Sequence, residues 1–196
     1  MAYYAATRNN ALSKTLLVLT GMVFWLSFVV RTYVWVVLLG SSGPIVAMFK
    51  SIGFDPAPRL LYTSFASNIG LTHIMLPYMI LSLYAVMKNI DPSLSRAAAG
   101  LGASPFRSFA LIFLPLSLPG IANGCLLCII FCLGFYVTPE LLGSPSDRMI
   151  AGMISVELLE LLDWQRAAAM AVILLVLTVA LLVVYDRFLG IDRIWR

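Results

Sequence analysis

Apolar and polar positions divide this 196-residue chain into long greasy runs separated by short, punctuated segments. A helix needs about 20 mostly apolar residues to cross roughly 30 Å of hydrocarbon. Four runs reach that length, at about 15–39, 66–87, 111–137 and 167–185. The last is bounded by Arg166 and Asp186 and holds no charge; the second carries Asn68, His73 and Pro77, and the first has Arg31 toward one end. None has the strict alternation of a membrane β-strand. The pattern therefore predicts an all-α, polytopic transmembrane helical bundle of about four spans. The opening, "MAYYAATRNNALSK", lacks a basic stretch, short apolar core and small-residue cleavage site in sequence, so no cleavable leader is expected in it.

The intervening segments have patterns of their own. Segment 40–65 predicts a short interfacial helix between its Gly43-Pro44 and Asp55-Pro56 punctuation. In segment 138–166, "TPELLGSP" is followed by "MIAGMISVELLELLDW", apolar at helical spacing but interrupted by Glu157, Glu160 and Asp163. That predicts a helix lying at the outer surface rather than a fifth span.

Residues 91–120, "DPSLSRAAAGLGASPFRSFALIFLPLSLPG", are longer than a simple connection requires. Asp91 can cap free N–H groups, and Pro92 suits the first helical position. The helix can run through "SLSRAAAGL" and end at Gly102 in a left-handed conformation costly to other residues. Ser104-Pro105 repeats the start signal for a second helix. Two short helices meeting at a glycine elbow are expected, with Pro115 and Pro119 bending the entry into the next span.

Composition fixes the solvent. The chain is 61% hydrophobic and 11% charged, against roughly 25% charged in soluble domains; it cannot cover itself with polar groups and must use lipid. The net charge of +4 is informative by location. Arg8, Lys14, Lys88, Arg96, Arg107, Arg187, Arg193 and Arg196 fall in alternate segments, with Lys50, Arg59, Arg148 and Arg166 in the others and Arg31 near that second side. The bias of eight against five places both termini and the 88–110 loop in the cytoplasm. A cytoplasmic segment 1–14, a membrane domain 15–186 and a cytoplasmic tail 187–196 follow. Basic residues are not interleaved with exposed aromatics, so nucleic acid is not an expected partner.

The full spacing in the elbow is more specific than its caps. From Ala97 it reads Ala-Ala, three residues, Gly102, nine residues, Ile112, one residue, then Leu114-Pro115. It resembles the cytoplasmic signature E-A-A, three residues, G, nine residues, I-x-L-P of the membrane subunits of binding-protein-dependent ABC importers. "FWLSFVVRTYVWVVLLG" (24–40), "LPYMILSLYAVMKNIDPSL" (76–94), "LPLSLPGI" (114–121) and "LGFYVTPELLG" (133–143) look like the spermidine/putrescine-type subgroup.

The resemblance covers nearly the whole chain and implies an inner-membrane permease subunit without enzymatic activity of its own. It implies a cytoplasmic ABC ATPase dimer that hydrolyses ATP, a second permease subunit, an extracytoplasmic substrate-binding protein and a polyamine or similar small cation as cargo. Ala97, Ala98, Gly102, Ile112, Leu114 and Pro115 match the ATPase-coupling motif, while Arg96 stands where the family carries glutamate. Because such subunits have about six spans, the chain is expected to lack the first one or two, through fragmenting, a late assigned start or genuine loss. The alternatives to a polyamine permease are a permease for another small solute or a truncated, transport-incompetent membrane protein.

Other polar and aromatic positions keep two readings. Arg31 either snorkels to the outer interface beside Tyr33 and Trp35 or serves as a gate or ion-pair partner in the pathway. Glu140 is either a solvated loop glutamate or a carboxylate offered to a cationic substrate, with Trp25, Tyr33, Trp35 or Tyr136 supplying aromatic faces. His73, the one histidine, is expected as a neutral imidazole bonded to a neighbouring helix. Cys125, Cys128 and Cys132 share a helical face but have no local histidine or acid, so they read as packing residues; no metal or cofactor is expected.

Overall fold

The computed structural model describes residues 1–8, 10–54 and 56–189. Asp55 and most of the predicted tail, with Arg193 and Arg196, lie outside the described residues. In chain order the helices are α1 (Ala2–Thr7), α2 (Ala11–Trp25), α3 (Phe28–Leu39), α4 (Pro44–Ser51), α5 (Ser64–Met87), α6 (Pro92–Gly100), α7 (Pro105–Ser108), α8 (Leu114–Gly134), α9 (Val137–Leu142), α10 (Ile150–Leu159) and α11 (Trp164–Leu189). A π-helical turn, Phe109–Phe113, leads into α8, and a 3-10 turn, Pro145–Asp147, follows α9. No strand occurs among the described residues.

Four segments are long and apolar enough to cross a bilayer: Phe28–Ser51, Ser64–Met87, Pro105–Gly134 and Trp164–Arg187. The predicted run 15–39 is not one helix. It is α2 and α3, separated at Leu26-Ser27, and neither residue is the proline or glycine that would have marked the break. Counted as a span, α3 continues through a tight turn closed by the Gly43 N–H on the Gly40 carbonyl (2.8 Å) into α4. That fourth helix is the short one expected between Gly-Pro and Asp-Pro. The helix expected after "TPELLGSP" is α10, ten residues long and too short to cross.

The chain forms two compact units. The first contains Met1–Trp25 and Leu76–Cys128. Here α8 turns a stripe of Ser117, Gly120 and Gly124 inward. A Cβ on Gly120 would lie 2.9 Å from the Val86 side chain, and one on Gly124 would collide with Met79 of α5. The Ser82 hydroxyl donates to the Gly120 carbonyl at 3.2 Å. Two glycines four residues apart let backbones approach, which is how helices associate where lipid removes the hydrophobic driving force. On the same C-terminal half of α5, α1 buries Ala2 with Ile80, Met87 and Phe113.

The second unit contains Leu26–Met75 and residues 129–189. Its core gathers Leu39, Ala66 and Leu142, with Trp35, Val36, Leu60 and Leu61 packed around them. Gly70 of α5 admits the Leu142 and Thr138 side chains of α9. Thr32 and Thr138, both fully buried, share a 2.8 Å hydrogen bond across this contact.

Candidate functional site

The elbow begins where the sequence places it. The Asp91 carboxylate accepts from the Ser93 N–H at 2.8 Å and Pro92 occupies the first turn of α6. Hydrogen bonds from the Ser93 hydroxyl and N–H, with the Arg96 charge further off, hold the Asp91 carboxyl below its ordinary range. At the other end the Ala103 N–H reaches the Ala98 carbonyl and the Gly102 N–H the Ala99 carbonyl, each at 3.0 Å. This is the paired closure that requires a left-handed residue after the cap, and Gly102 has φ +81°. No atom lies within 4 Å of a Cβ built on Gly102. The glycine is therefore there for its backbone rather than for space.

The second helix restarts at once. Ser104 caps α7, its hydroxyl accepting from the Arg107 N–H at 3.4 Å. The Leu114 N–H then bonds back to Phe109, five residues earlier, which is the wide π pattern. It falls directly before Pro115, whose missing N–H would leave an α-helical partner carbonyl unsatisfied. Tyr3 of α1 braces this turn, its ring edge-on to Phe109 (5.3 Å) and Phe113 (4.8 Å).

The six motif positions and Arg96 thus divide in two. Arg96 and Ala97 are exposed on α6 while Ala98 turns inward. Ile112 lies in the π turn, and Leu114 and Pro115 open α8. Around the elbow Leu101 is 89% exposed, Phe106 77% and Leu111 74%. Large apolar side chains this bare, beside a rigidly capped turn, make a surface fit to be covered.

In the second unit the polar and aromatic candidates form two groups. Arg31 is buried; its guanidinium lies 3.5 Å from the Ile74 carbonyl, a long contact. It is within electrostatic reach of His73, whose ring stands edge-on to Trp35 at 5.9 Å. The hydrogen bond expected of His73 is absent at Nδ1, which is buried with no partner. The other group is Glu140 and Tyr136, side by side against Gly152. Glu140 is not a free carboxylate: Arg148 grips both its oxygens, at 2.7 and 3.1 Å. Tyr33, 63% exposed, joins neither group and lines an apolar groove with Val29, Val30, Val34, Val37 and Leu38. Trp25, 86% exposed, belongs to the first unit. Nothing in the local pattern announces the Arg148 clamp or the Thr32–Thr138 pair, whereas the Gly120/Gly124 spacing is visible in the sequence.

Comparison with known proteins places these features in a family. A model of the "binding-protein-dependent transport system inner membrane component" matches residues 1–191. The chain is 32% identical over 187 residues to the spermidine/putrescine transport system permease protein PotB of Escherichia coli K12, covering 95% of this chain and 68% of that one. It is 37% identical over 173 residues to PotB of Haemophilus influenzae, covering 88% and 60%. The chain thus spans roughly two thirds of the length of these relatives. Among solved structures, it resembles a chain of a bacterial alginate ABC transporter in complex with an alginate pentasaccharide-bound periplasmic protein. The TM-score is 0.77 at 19% identity, over 97% of this chain and 70% of that one, a likeness of fold. With the membrane-length helices and the capped elbow, the matches establish that this integral membrane chain belongs to the binding-protein-dependent transport system inner membrane component family.

Proposed function

We propose that the chain is a permease subunit of an ATP-driven importer that, with a second permease subunit, encloses a pathway for a polyamine or similar small organic cation. The observation that carries the coupling part is the elbow: two capped helices locked by Gly102 in a left-handed turn, with Leu101 and Phe106 bare. Residues 92–102 would dock on a cytoplasmic ATPase dimer, which performs the hydrolysis. Closure of that dimer on ATP would move α6 and α7 as a lever, and the π turn before Pro115 would pass the motion into α8. Both termini and the elbow face the cytoplasm in this reading, in line with the basic-residue bias. An extracytoplasmic binding protein would deliver the cargo, and the polyamine assignment rests on the PotB relatives.

A tagged chain purified in mild detergent is expected to retain an ATPase and a second permease subunit. Gly102→Val should abolish ATP-driven uptake of radiolabelled putrescine by the assembled complex while membrane insertion stays normal. Unchanged uptake would overturn the docking assignment. A second reading, an importer of another small solute, is favoured by the buried Arg31 cation and by the neutralised Glu140. Competition of putrescine uptake by neutral and anionic solutes separates the two.

A further inference from the structure

We infer that the α4–α5 connection holds an anionic phospholipid, with the phosphate between Lys50 and Arg59 and an acyl chain along α4. The two cations line one cavity of about 580 Å³, whose other walls include Val46, Pro58, Leu61 and Tyr62. No acidic side chain is among its lining residues that the structure describes. Neither Lys50 nor Arg59 has an ion-pair partner among the described residues, and both are exposed. Two unpaired cations above an apolar wall complement an amphiphile with a negative head.

The ends of the cavity point to lipid rather than a soluble anion. Helix α4 continues an apolar segment long enough to enter the bilayer, and it presents Met48, with Ile52 and Phe54 just beyond it, more than half exposed. Large apolar side chains beside cations are the arrangement of a membrane–water interface. The opposite wall is fixed in advance. Leu60 and Leu61 pack on the Leu39–Ala66–Leu142 core, and the Thr63 hydroxyl donates to the Leu60 carbonyl at 2.6 Å. Tyr62 is held at φ +60°, a left-handed conformation unusual for a bulky aromatic. Ammonium and guanidinium groups would donate to the phosphate oxygens. This inference needs only a bilayer and does not depend on the cargo or the ATPase.

The test is native mass spectrometry of the intact chain, delipidated in detergent and titrated with equimolar phosphatidylglycerol and phosphatidylcholine of the same acyl chains. Phosphatidylglycerol is expected to be retained about tenfold better, the order expected of two head-group-facing cations. Lys50→Gln/Arg59→Gln should remove that preference with the melting temperature unchanged, and Arg8→Gln/Lys14→Gln should keep it. Glycerol phosphate, a soluble head group, should not displace the bound lipid. The inference is overturned by a preference that survives in the Lys50/Arg59 variant, as it would if these cations meet an acidic protein surface instead. Equal loss in the Arg8/Lys14 control, or displacement by glycerol phosphate alone, would overturn it too.

Discussion

Thr32 has one hydroxyl proton and two oxygens within reach of it. Its Oγ1 lies 2.9 Å from the Phe28 carbonyl and 2.8 Å from the Thr138 hydroxyl. A carbonyl can only accept, so Thr32 donates to Phe28 and Thr138 donates to Thr32. Thr32→Val therefore strands a buried donor on Thr138, costing about 1–3 kcal/mol. Thr138→Val leaves Thr32 satisfied and should cost nearer ~0.6 kcal/mol, the average for such bonds within membranes. Thermal unfolding in detergent should rank the variants in that order, and equal losses would contradict the donor assignment. Asp147 offers a second case. Hydrogen bonds from Ser144 and Ser64, the latter 2.6 Å from it, hold its carboxyl below the ordinary 3.8. A carboxylate whose pKa is depressed by folding stabilises the fold above its unfolded value, and that contribution goes as pH falls through the folded value. Proteolytic nicking around residues 143–148 should thus rise as the pH drops below about 4, and Ser64→Ala should raise it at neutral pH. Nothing local announces either contact, because the threonines stand 106 positions apart and Ser64 and Asp147 83 apart.

At the scale of elements, what the chain declares locally is what the structure keeps. Asp91-Pro92, Gly102 and Ser104-Pro105 each carry a complete start or stop instruction within a few residues, and the elbow forms accordingly. Gly43-Pro44 opens α4 in the same way, but its end is closed by Gly53 at φ +96° rather than at the Asp-Pro further on. The break between α2 and α3 has no such instruction; Ser27 makes no side-chain cap bond, and the apolar pattern runs through it unbroken. The π turn was legible only as two prolines that ought to bend something. Pro115→Ala would restore the missing N–H, so hydrogen exchange over residues 109–115 should slow by several-fold as the turn tightens toward α-helix. Unaltered exchange would mean that the Tyr3, Phe109 and Phe113 rings, not the proline, hold the wide turn open.

Across the whole molecule, burial is sparse. The most apolar window of the Trp164–Arg187 span is only 6% buried, and the best covered, in Ser64–Met87, reaches 28%. Composition requires lipid as solvent, and the structure adds which helices depend on it most. The 12 residues of α3 make a helix of about 18 Å, so the Phe28–Ser51 span covers the roughly 30 Å hydrocarbon core only with the turn and α4 added, and it includes the buried Arg31. During synthesis such a segment has poor prospects of leaving the translocon alone. Its arginine finds Ile74 on α5, and its threonine finds Thr138 on α9, which the ribosome reaches more than a hundred codons later. By contrast α11, uncharged from residue 167 to 185, can partition into lipid as soon as it emerges. Of these four membrane-length segments the earliest made is then among the last to settle, and its retention at the insertion machinery sets how long the nascent chain must be chaperoned.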